Sequence, residues 1–206
     1  LPEFETPAAL SASQVYFYDV PDAKQSVLQF GYLALAETDD DFYPAEVMNY
    51  ILGGGGFASR LTQELREGKG YTYGIRSGFS GTRIAGPFAI RSSVRTNVTY
   101  ESASLVKDIL EAYPSTFSEQ DLETTKSFLL KSNARRFETL GAKLSMLKNM
   151  SDYSWSADYV SQRENIVQKM SIEEIGALAS KYAMPNKMIY LVVGDAKTQM
   201  DRLTAL

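Results

Sequence analysis

The spacing of apolar and polar side chains along this 206-residue chain changes period several times, and each change predicts an element. Residues 15–20 and 26–35 are rich in β-branched and aromatic side chains and flank Pro21-Asp22-Ala23-Lys24, a turn composition that predicts two paired strands. Residues 71–79 alternate with Tyr71, Tyr73, Ile75 and Phe79 on one face. Phe88, Ile90 and Val94 alternate again after the turn region 81–86, which predicts a hairpin. Between these pairs the acidic residues 37–41 open a helix whose apolar side runs through Val47, Tyr50, Ile51 and Phe57.

From Thr99 the period becomes helical, with Val106, Ile109, Leu110 and Tyr113 sharing a face; Ser118 is placed to cap a helix through Phe128 and Arg135. Helices continue to Tyr182, the last opened by a capping box from Ser171 to Glu174. Pro185 stops that helix, and residues 188–193 read as a buried strand returning to the sheet. Strands at both ends with helices grouped between them predict an α+β fold. Its form is a two-layer sandwich, a mostly antiparallel sheet with helices packed on one face.

Residues 1–14, with Pro2 and Pro7, read as a linker or the remnant of a preceding domain, and residues 15–206 as one domain. The chain starts without methionine, as a fragment of a longer precursor would. A domain of this length buries roughly 70% of its unfolded surface and needs no metal or disulfide to fold. The net charge of −4 and pI near 5.0 argue against a nucleic-acid partner, whose grip comes from Lys and Arg on phosphates. No apolar run reaches the ~20 residues that span a bilayer. Cysteine is absent, which excludes thiol catalysis and leaves the compartment open, periplasm or cell envelope and cytoplasm alike for a bacterial protein.

Chemistry concentrates around Gly53, Gly54, Gly55 and Gly56. Four successive glycines forfeit nearly ~1 kcal/mol of helix propensity each relative to alanine, so they mark either a closely packed helix end or an adaptable loop that touches a ligand. The pattern is no phosphate loop, because Gly56 is not followed by Lys and Ser or Thr. Arg66 falls in the last turn of the next helix, where a cation suits the dipole, and alone would read as structural. Tyr73 alone would read as a half-buried sheet tyrosine. Gly68 and Gly70, however, let the chain reverse so that guanidinium and phenol converge. With no histidine and no cysteine, the chain offers no zinc ligand set. The acidic residues 37–41 lack calcium-loop spacing and read as a solvated loop or helix start. Tyr153, Trp155 and Tyr159 read as interhelical packing.

The glycine run, the Ser59-Arg60-Leu61 that opens the next helix, Leu65-Arg66-Glu67 near its end and Gly70-Tyr71-Thr72-Tyr73-Gly74 together resemble the insulinase/pitrilysin-type zinc metallopeptidases. The likeness is specifically to the C-terminal, non-zinc-binding domain of that inverted-zincin family, sharp over about twenty residues and weaker over most of the chain. It implies one half of a two-halved chamber, inactive alone. The zinc and a His-x-x-Glu-His motif would lie in another half, on the same longer chain or a separate subunit. An arginine and a tyrosine seven positions apart would hold the peptide substrate, and they fall on Arg66 and Tyr73. The glycine run is similar in composition to the loop of the non-catalytic subunit of mitochondrial processing peptidase. The same fold in the core proteins of the cytochrome bc1 complex implies an alternative, a non-enzymatic scaffold or assembly domain.

Overall fold

The computed structural model describes residues 7–132 and 137–204. Five strands, β1 (Gln14–Asp19), β2 (Gln25–Leu35), β3 (Thr72–Phe79), β4 (Gly86–Arg95) and β5 (Ile189–Gly194), form one sheet in the order β1-β5-β2-β4-β3. Every neighbouring pair is antiparallel except β1 with β5, which run parallel from Gln14 opposite Ile189 to Asp19 opposite Gly194. The last strand thus returns to the middle of the sheet, between the first two.

Strict alternation along β2, β4 and β5 sends Leu28, Phe30, Phe88, Ile90, Val94, Tyr190 and Val192 into the core. Val27, Leu33, Arg91 and Ile189 are left on the opposite face, in solvent. The described helices are α1 (Phe42–Asn49), α2 (Arg60–Thr62), α3 (Thr99–Thr116), α4 (Glu119–Ser132), α5 (Leu140–Tyr153), α6 (Tyr159–Lys169), α7 (Ile172–Tyr182) and α8 (Ala196–Leu203). All but α5, which buries none of its residues, contribute buried side chains to the layer over the inner face. α3 packs on α7, β2 and β4, and α1 packs on α7. The architecture is therefore the expected two-layer α+β sandwich.

The two most deeply buried phenols in this core find acceptors. Tyr113 donates to the Met48 carbonyl at 2.8 Å and Tyr190 to the Pro185 carbonyl at 2.8 Å, so each ring fills volume without stranding its hydroxyl. Ser118 caps α4 through the Asp121 amide, and Ser171 and Glu174 form a complete capping box on α7. Arg135, the expected end of the α4 region, lies outside the described residues.

Three expectations fail. β1 and β2 are not paired with each other, because β5 inserts between them and bonds to both. The other two failures lie near the glycine run. Tyr73 does not share the buried face of β3. Thr72 pairs with Val94 and Ile75 with Ser92, so Tyr73 and Gly74 together stand against Ser93, a β-bulge that turns the tyrosine outward to 88% exposure. Phe57 does not extend the apolar side of α1. Its chain leaves the helix through the glycines, and the ring is 61% exposed.

Candidate functional site

The route from α1 to β3 departs from regular helix, with two wide π-helical turns on either side of a tight 3₁₀ one. α1 runs into a π-helical turn, Tyr50–Gly54, then a 3₁₀ turn, Gly56–Ala58, and α2 continues as a second π-helical stretch, Gln63–Gly68. Such turns recur at functional sites because they displace side chains from the regular helical path. Gly53 explains the first of them. A Cβ there would lie 2.2 Å from Ser77 Oγ and 2.7 Å from the Ser77 amide nitrogen, so the π-turn presses directly on β3. Asn49 fastens the same contact by donating to the Ser77 carbonyl at 3.0 Å and accepting from Ser77 Oγ at 2.5 Å. Thr62 donates to the Ile75 carbonyl at 3.3 Å. Part of the edge of β3 is thereby satisfied by side chains instead of another strand.

Ser59 starts α2 by accepting from the Thr62 amide, and Gly70 ends the segment at φ +61°. Gly70 donates to the Arg66 carbonyl at 3.0 Å and Tyr71 to the Leu65 carbonyl at 2.8 Å, closing the reversal into β3. The bulge is held by its own hydroxyls. The Gly74 amide donates to Thr72 Oγ1 at 3.0 Å, and Thr72 Oγ1 lies 2.7 Å from the Ser93 carbonyl.

This geometry brings Arg66 and Tyr73 together. The Arg66 guanidinium carbon sits 4.9 Å from the centre of the Tyr73 ring and 4.6 Å from that of Phe57, a cation held between two aromatic faces. Phe57 is the member that sequence reasoning missed; its exposed aromatic ring directly after a glycine run was the available signal. Gln63 fixes the turn that carries it by donating to the Phe57 carbonyl at 2.5 Å. Arg66 Nε lies 3.2 Å from Glu67 Oε1, and no other hydrogen bond to the guanidinium occurs among the described residues. Nor does the Tyr73 hydroxyl have a partner among them. The two terminal guanidinium nitrogens and the phenol are thus oriented, solvent-facing donors suited to a carbonyl or carboxylate oxygen.

Gly54, Gly55 and Gly56 border a groove of about 570 Å³ shared with Tyr43, Glu46 and Phe128. A second groove, about 620 Å³, lies over β3 and the outer face of β4, from Tyr73 to Ser80. The acidic residues after β2 do not converge. Glu37 pairs with Arg163 at 3.2 Å, Asp39 caps the Ala36 amide at 2.8 Å and Asp41 binds Lys181 at 2.6 Å. Among the described residues no three His, Cys, Asp or Glu side chains form a metal-binding group, and a chain without His or Cys does not fit catalytic zinc. No described helix is long and apolar enough to cross a membrane.

The family described as "Peptidase M16 inactive domain" matches residues 1–129. A Helicobacter pylori protein named "Non-peptidase homolog YmxG" is 29% identical over 95% of this chain and 45% of its own. A Streptomyces coelicolor protein named "Uncharacterized zinc protease SCO5738" is 33% identical over 43% of this chain and 19% of its own. The crystal structure of a peptidase M16 inactive domain from Pseudomonas fluorescens superposes with a TM-score of 0.86 at 28% identity, covering 95% of this chain and 46% of that one. The chain therefore spans less than half the length of these relatives.

Proposed function

The chain belongs to the family of peptidase M16 inactive domains, and on that premise we propose that it is the substrate-binding, non-catalytic half of a zinc metallopeptidase. The observation that carries this reading is the half-buried Arg66 guanidinium beside the exposed Tyr73 phenol at one corner, with only Nε of their donors paired among the described residues. A peptide carbonyl placed against them would be polarised, and the oxyanion formed when a metal-bound hydroxide attacks it would be stabilised. The zinc and the general base belong to a His-x-x-Glu-His half, on the same longer chain or a separate subunit; the name of the Streptomyces coelicolor relative supports zinc chemistry in that company. The substrate is an extended peptide, lying along the groove beside β3.

The test is turnover of a fluorogenic peptide by this chain combined with such a half. Arg66→Ala and Tyr73→Phe are each expected to lower kcat/KM by about 10²–10³, the usual weight of one preorganised donor. Unchanged turnover in both variants would reject the role. A second reading, a non-enzymatic scaffold or assembly domain, is favoured by the name of the Helicobacter pylori relative, which aligns over nearly the whole chain. It predicts assembly with the partner half and no cleavage of any peptide by the mixture.

A further inference from the structure

Arg76 and Arg91 occupy an unusual position on the open face of the sheet. They are direct cross-strand partners on β3 and β4, where Cβ atoms stand about 5 Å apart and like charges repel. Every other described arginine is engaged. Arg60, Arg66, Arg163 and Arg202 pair with carboxylates, Arg83 donates to the Asp152 carbonyl and Arg95 to the Gly70 carbonyl. Arg76 and Arg91 alone among the described arginines make no hydrogen bond, ion pair or ring contact. Both line the groove that begins at Tyr73, and no Asp or Glu lines it with them, although the chain as a whole carries a net charge of −4. A Cβ added at Gly74 or Gly78, beside them on β3, would meet nothing within 4 Å, so the space above is open.

We propose that Arg76 and Arg91 form a subsite for one carboxylate side chain, aspartate or glutamate, of the peptide that Arg66 and Tyr73 hold. The inference rests on the peptide-binding reading above and adds to it a preference for acidic sequences. An anion between the two guanidiniums removes their mutual repulsion and accepts charge-assisted hydrogen bonds from both. Arg76 lies three positions beyond Tyr73, roughly 10 Å along a strand, which places the acidic residue two or three positions from the held carbonyl. Nucleic acid fits less well, since its affinity requires many phosphate contacts from a surface that is otherwise acidic.

The experiment measures fluorescence anisotropy of labelled, unstructured peptides titrated with the 206-residue chain at low salt, in pairs that differ by Glu or Gln at one scanned position. At one position the Glu peptide is expected to bind roughly five- to tenfold tighter, an advantage that shrinks below about twofold at high salt and in the Arg76→Gln, Arg91→Gln double variant. Arg66→Ala should weaken both peptides of a pair and leave their ratio intact. Equal affinities at every position, or a ratio undiminished in the double variant, would overturn the subsite. So would displacement of the peptides by a single-stranded oligonucleotide at lower concentration than by the acidic peptide itself. Binding that Arg66→Ala weakens but that shows no Glu preference removes the subsite and spares the peptide-binding reading. Absence of binding by any peptide removes both.

Discussion

Two of the described arginines, Arg163 and Arg66, stack on more than one aromatic ring, and they differ in what is left over. Arg163 stacks 4.3 Å from Trp155 and 4.6 Å from Tyr43, near Tyr159, and also pairs with Glu37 at 3.2 Å; the two charged side chains are only 17% and 16% exposed. Arg66 stacks between Phe57 and Tyr73, but its rings face solvent and its sole ionic contact is the neighbouring Glu67. The first cluster ties the segment after β2 and helix α1 to α6 and the turn before it. The second joins a glycine-flanked turn to a bulged strand and supports nothing above it. A stacked arginine largely buried together with its carboxylate is a brace, whereas one at the surface with its terminal nitrogens unpaired among the described residues is available to a ligand.

The largest effect should come from breaking the brace. Arg163→Ala leaves Glu37 half-buried without its counter-charge and three rings without their shared partner. A loss of about 2–4 kcal/mol in folding stability is expected by chemical denaturation. Arg66→Ala should lose no more than about 1 kcal/mol, its ion pair being exposed, while abolishing most of the turnover described above. Equal destabilisation by the two would erase the distinction.

The strands and helix caps were legible because they follow from periodicity and from residues that act on their immediate neighbours, as Ser171 does on Glu174. The pairing of β1 with β5 instead of β2 was not, since it joins segments from opposite ends of the chain. The pairing of Arg66 with Tyr73 was legible from the family resemblance, with Gly68 and Gly70 allowing the chain to reverse between them. The outward turn of Tyr73 was not, since the bulge depends on hydrogen bonds between Thr72, Gly74 and Ser93, two of them on one strand and the third reached only after the hairpin closes. Phe57 was assigned to the wrong surface for a related reason. Its spacing continues the apolar period of Val47, Tyr50 and Ile51, but the intervening glycines redirect the backbone. The centre of the closed cluster was invisible for a different cause: Glu37 and Tyr43 lie more than a hundred residues from Trp155 and Arg163, and only tertiary packing brings the two pairs together.

pH offers a smaller lever on the brace. Burial, reinforced by the nearby charge of Glu46, pushes the Glu37 carboxyl above the ordinary glutamate value of 4.5 even though Arg163 pulls it down. A folded state that holds this proton more tightly than the unfolded chain is favoured by the group at low pH. It loses that advantage as pH rises from the unfolded value through the raised folded one. Glu37→Gln should therefore gain stability relative to the parent as pH climbs through this window, with the difference level above it, in paired thermal melts. If the parent gained instead, the ion pair with Arg163 would outweigh burial, and the brace would be electrostatic before it is a packing device.

The smallest effect should come from Phe57→Leu. The ring is exposed and contributes one face of a cation–π contact, worth about 0.5–1 kcal/mol in such a setting, so the melting temperature should move by only a few degrees. What changes is the position of the guanidinium. Held by Tyr73 alone, Arg66 samples more rotamers, and KM in the combined enzyme should rise severalfold while the fold is kept. A Phe57→Leu protein that melted as early as Arg163→Ala would mean that the open sandwich also anchors the glycine turn on β3. Its free donors would then be a by-product of structure instead of a place prepared for a peptide.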